Sequence, residues 1–132
     1  MEPINATINP GICKGSNMGV TKELVFAMSL VALTPEGELR EVVTARWYMG
    51  RSRTASVVYC TIWTESGRNS GTGRASGYGY HKESAALAEA CESAGITLSR
   101  DIAGVGESAI REAILAIGRA LGYSSGIIVT HS

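Results

Sequence analysis

A chain of 132 residues, 45% hydrophobic and 18% charged, is long enough to bury one core and excludes a disordered or fibrous protein. Twelve basic residues balance twelve acidic ones. Zero net charge argues against a dedicated duplex-DNA binder, whose affinity comes from neutralising phosphates, but leaves room for a small anion held by two or three local cations.

The elements read in chain order as β-β-β-α-α-β, a single α+β domain over 1–132. Residues 1–21, with two prolines and three asparagines, read as an arm or loop. ELVFAMSLVAL (23–33) is a buried strand, TPEGE a turn in which Gly37 takes positive φ, and LREVVTARWYM (39–49) the returning strand of a hairpin. After GRSR (50–53), TASVVYCTIWT (54–64) alternates with Val58, Cys60, Ile62 and Thr64 on one face and Val57, Tyr59, Thr61 and Trp63 on the other. The expected architecture is an antiparallel β-meander covered by two C-terminal helices, with a short final strand. The first helix runs from an N-cap at Ser84 to Ala94, with Gly95 at C′; Leu87, Cys91 and Ala94 form its stripe. In the second, Ile110, Ile114, Ile117 and Leu121 recur at helical spacing before Gly122, and GIIVT (126–130) is the last strand.

Between the meander and the first helix lies SGTGRASGYGYHKES (70–84), read as a glycine-rich loop. It matches neither G-x-G-x-x-G nor the P-loop pattern, so dinucleotide-binding and nucleoside-triphosphatase classes are excluded on this stretch. Its residues nonetheless suit an anion. Gly71, Gly73, Gly77 and Gly79, around Ser76, leave backbone amides open to close approach. Arg68 and Arg74 can pair with phosphate, Tyr78 and Tyr80 offer stacking faces, and His81 and Lys82 stand at a helix entry whose dipole favours negative charge. The competing reading is a hairpin tip whose tyrosines pack on the sheet. GRSR with Arg46 is a second basic spot, or simply a solvated turn; RDIAGVGES (100–108) is a second helix entry, or simply an interhelix loop.

Catalytic chemistry is poorly provided for. His81, Glu83 and Asp101 could be assembled into an acid–base set, but no serine or cysteine has a nucleophile context. Cys13, Cys60 and Cys91 lack zinc-site spacing, so no metal and no cofactor is expected, and they read as buried thiols of a reducing cytosol. No apolar run reaches the ~18 residues of a spanning helix. MEPINATINPG has no signal-peptide character, which makes the cytoplasm the expected compartment.

GRASGYGYHKESAALAEACESAGI followed by DIAGVGESAIREAILAIGRALGY resembles small phage and prophage proteins, and size and architecture are similar to the phage anti-Thoeris sponge family. The resemblance spans 23–123. It implies an α+β homo-oligomer, hexamers included, that binds a cyclic ADP-ribose isomer, and in some members cyclic oligonucleotides, without cleaving it. It also implies that Tyr78 or Tyr80 stacks on a base and that Arg68, Arg74 or Arg111 meets the phosphates. The expected function is therefore a non-enzymatic anti-defence protein that sequesters a small phosphorylated nucleotide in the host cytoplasm. The alternatives are a protein–protein inhibitor of a host defence complex, using Trp47 and Trp63, a single-stranded nucleic-acid binder, and an enzyme that cleaves cyclic nucleotides.

Overall fold

The computed structural model describes residues 3–9, 23–51, 56–65, 69–76 and 82–131. A five-stranded antiparallel sheet is built from β2 (Glu23–Leu33), β3 (Leu39–Arg51), β4 (Ser56–Thr64), β5 (Gly71–Ser76) and β7 (Ile127–His131), in the order β5-β4-β3-β2-β7. Helices α1 (Lys82–Ser93) and α2 (Glu107–Ala120) cover one face. A separate two-stranded ribbon pairs β1 (Ala6–Ile8) with β6 (Ile96–Leu98). The architecture is thus α+β, a meander with helical cover and a short C-terminal strand.

The alternation in β4 decides which side is core. Val58, Cys60, Ile62 and Thr64 are buried beneath the helices together with Met28, Leu30, Val43, Ala45 and Trp47, whereas Trp63 points to the opposite face. The β2–β3 turn forms as its residues require: Gly37 has φ 84°, its N–H donates to the Thr34 carbonyl at 2.9 Å, and the Thr34 hydroxyl accepts from the Glu38 N–H at 3.2 Å. Helix α2 buries Ile110, Ile114 and Ile117 and ends at Leu121, with Gly122 following at φ 101°.

Three readings are corrected. The segment from 71 to 76 is not loop but strand β5, registered on β4 from Ile62↔Gly71 to Val57↔Ser76. Its glycines have a packing reason. A Cβ on Gly71 would stand 2.7 Å from the Ala94 nitrogen, and one on Gly73 would fall among the backbone atoms of Ala86 and Ala90. Helix α1, with Ala86 and Ala90 fully buried and Ala94 buried just beyond its end, lies directly on that bare strip. Secondly, Ser84 is not the cap of α1: the helix begins two residues earlier, leaving Ser84 buried in its first turn. Thirdly, the first residues are no loose arm. Ile4 is buried in the core, Ala6–Ile8 form β1, and the Arg119 guanidinium donates to the Ile4 carbonyl at 3.0 Å. Residues 10–22 lie outside the described residues. Asn69, also buried, ties this end together by donating to the Ala94 carbonyl (2.8 Å) and the Asn9 carbonyl (3.1 Å).

Cys60 and Cys91 are free and buried in the core. Burial pushes both thiols up, Cys91 to about 12 and Cys60 well above the ordinary thiol value. A folded pKa above the unfolded one means stability is fully present below the ordinary thiol pKa and declines as pH rises through 9 toward 12. Iodoacetamide at pH 8 is therefore expected to leave Cys60 and Cys91 unmodified in the native protein and to label both in urea, as read by peptide mass spectrometry. Labelling of either in the native protein would overturn their inert structural role.

Candidate functional site

Although α1 and α2 are separated by 13 residues of chain (94–106), their first turns meet over one cleft of about 280 Å³. Phe26, Glu83, Ser84, Gly106, Glu107 and Ile110 line it. Phe26 is half-buried and stacks on Trp47 with centroids 4.4 Å apart and planes 5° from parallel. Trp47 is fully buried, and its indole N–H donates to the Glu83 carbonyl at 2.9 Å, fixing the start of α1 relative to the sheet.

The α2 entrance is held from below. Buried Ile102 anchors the loop, the Asp101 carboxylate accepts from the Ala103 N–H at 2.9 Å, and the Val105 N–H reaches the Ile102 carbonyl at 3.2 Å. Gly106, at φ 120°, then opens the helix with no side-chain cap, so the first-turn amides of α2 have no hydroxyl or carboxylate cap from the N-cap position. One turn along, Arg111 is exposed and meets the Glu107 carboxylate at 3.5 Å and the Thr130 hydroxyl at 3.5 Å. The cleft therefore combines an aromatic floor, two positive helix ends, two carboxylates that can accept from hydroxyl or amine groups, and an arginine one turn away.

Of the residues singled out in the sequence, Arg68, Gly77, Tyr78, Gly79, Tyr80 and His81 lie outside the described residues. Lys82 is the first residue of α1, adjacent in sequence to the cleft's Glu83. Ser76 ends β5. Gly73 faces α1, which fills the space from which a ligand would reach its Cα. Arg74, the next residue, is exposed on the other face of the sheet. Arg74 and Arg111 thus stand on opposite sides of the sheet and do not converge within one chain. The cleft's Phe26 was missed; the sequence signal was that it is the chain's one phenylalanine, set in an otherwise aliphatic strand.

A larger groove of about 990 Å³ runs along the outer side of α1 and β6. It brings Glu89, Glu92 and Asp101 together with Arg100, which is already ion-paired with Glu112 at 3.2 Å. Its described lining has neither an aromatic side chain nor an uncapped helix start, whereas the smaller cleft has both and is the better candidate. Among the described residues no group of three or more His, Cys, Asp and Glu is placed to hold a metal ion. No described helix is long and apolar enough to cross a membrane. No protein-family model, curated protein or solved structure matches the chain.

Proposed function

We propose that the protein binds and sequesters a small phosphorylated nucleotide of the cyclic signalling class, a cyclic ADP-ribose isomer or a cyclic oligonucleotide, as an anti-defence protein that does not turn its ligand over. The observation that carries this reading is the uncapped start of α2 opening on a cleft whose floor is aromatic. Backbone amides at a helix N-terminus suit a phosphate. Phe26 offers apolar surface to a base, and the Glu83 and Glu107 carboxylates suit sugar hydroxyls or an exocyclic amine. Arg111 supplies a cation at the edge. At about 280 Å³ the cleft is near the small end of ligand pockets, so one nucleoside unit fits better than a whole cyclic dinucleotide. A second copy of the chain would have to cover the rest.

The test is calorimetric titration with cyclic ADP-ribose isomers and cyclic dinucleotides, followed by heat denaturation and recovery of the ligand. Intact ligand supports sequestration, a cleaved product makes the protein an enzyme, and no heat with any of these ligands ends the proposal. Arg111→Ala is expected to weaken binding about tenfold, the loss of roughly one charge-assisted contact, with an unchanged circular-dichroism spectrum. Unchanged affinity would remove the α2 entrance from the site.

A further inference from the structure

The face of the sheet turned away from the helices has a second, unrelated set of groups. Register places Tyr48, Tyr59 and Arg74 side by side across β3, β4 and β5, with Arg46, Thr61 and Thr72 in the next row on that face. Trp63, 43% exposed, follows on the same side of β4, about 13 Å from Tyr59 at ordinary strand rise.

The ring of Tyr59 folds down over Gly50. A Cβ on that glycine would be 2.7 Å from the ring's Cε2 and 3.4 Å from Cδ2. A ring laid across the neighbouring strand in this way covers the bare glycine. The charge on this half of the face has one sign. Arg46 and Arg74 are exposed, neither is ion-paired among the described residues, and none of the residues in these rows is acidic. Glu41, on the same face five residues from Arg46 along β3, directs its carboxylate to His131 at 3.7 Å, which stands beyond Ala27 at the β7 edge.

We infer that this face is a stacking platform for single-stranded nucleic acid, with bases on Tyr59, Tyr48 and Trp63 and phosphates against Arg46 and Arg74. Flat aromatic faces interleaved with unpaired arginines suit an unpaired strand. A sheet face presents no helix or ribbon to insert into a major groove, so duplex is not accommodated. Self-association through the face is disfavoured by the same two arginines, which a symmetric partner would bring toward its own. The inference does not depend on the nucleotide cleft, which lies on the other side of the sheet.

The test is fluorescence anisotropy with a labelled 15-nucleotide oligothymidylate and a 15-base-pair duplex, across a salt series. The wild type is expected to prefer the single strand at least tenfold, with a log–log salt slope of about −1.4 for two phosphates. Arg46→Ala with Arg74→Ala should flatten that slope toward zero and lose tenfold or more in affinity. Tyr59→Leu should lose about tenfold with the slope unchanged. Should Tyr59→Leu fail to fold, the double arginine variant, altering two exposed side chains, decides alone. No single-strand binding at 50 mM salt, equal binding of duplex, or indifference to the arginine changes overturns the inference. So does a sedimentation experiment in which the arginine changes alter the oligomeric state. All three substitutions are expected to leave the calorimetric response to cyclic nucleotides unchanged, so the two sites succeed or fail separately.

Discussion

Replacing Gly73 by valine is expected to lower the unfolding free energy by about 3 kcal/mol, the upper part of the range for overpacking a core. Valine is the better strand former, which by itself would favour the variant by up to about 1 kcal/mol. Packing wins because of what the new side chain meets. A Cβ at Gly73 enters the backbone of Ala86 and Ala90, and backbone cannot rotate away as a flexible side chain would. Either α1 lifts off β5 or the strand leaves its register with β4, and each route opens the core around Cys60, Leu87 and Cys91. With a urea m-value of about 1–3 kcal/mol/M, the denaturation midpoint should fall by about 1–3 M. Gly71→Ala, whose Cβ would stand 2.7 Å from the Ala94 nitrogen, should move it the same way by a smaller amount. A wild-type midpoint for Gly73→Val would show that α1 does not rest on this strand.

Trp47→Ala is expected to cost about 3–5 kcal/mol, as large-to-small changes at buried tryptophan do. For a domain of this length that is a drop in melting temperature of about 10–18 °C. Three contributions coincide at the residue. The ring is fully buried, it stacks on Phe26, and its N–H satisfies the Glu83 carbonyl. Trp47→Phe separates them. It keeps an aromatic surface against Phe26 but leaves the Glu83 carbonyl without that donor, costing about 1–3 kcal/mol. Because that hydrogen bond positions the first turn of α1, Trp47→Phe should also weaken any ligand in the cleft, at temperatures well below melting. Loss of stability with untouched nucleotide affinity would detach Trp47 from the site and leave it a core residue alone.

Much of the architecture was legible. Glu23–Leu33 has the predicted bounds, β3 and β4 differ by two residues at one end, and the isoleucine stripe of α2 faces the core. These are long segments whose hydrophobic period is strong enough to override local ambiguity. Strand β5 was not legible because Gly-Thr-Gly has almost no strand propensity of its own; it is held extended by pairing with β4 on one side and the alanines of α1 above. The compensating signal was Ala86, Ala90 and Ala94 at i, i+4 and i+8, small residues whose only packing use is close approach. β1 and β6, three residues each, are too short to show a period. As for the site, both helix entries were recognisable as anion-favouring, but that Glu83 and Glu107 share a cleft is a tertiary fact. The placement of Arg74 could have been read from parity: once Gly73 faces the helix, its strand neighbour must face away.

The strand pairings of the sheet and of the β1–β6 ribbon differ greatly in reach along the chain. Strands 2 to 5 form by successive neighbours, whereas β7 returns to β2 across roughly a hundred residues, from Ala27↔His131 to Val31↔Ile127, and β1 finds β6 across about ninety. On a ribosome, the hairpins can therefore assemble early while β2 waits with one flank bare. Until the final strand emerges, that flank is the nascent chain's stickiest surface, and chaperone dependence should be greatest in that interval.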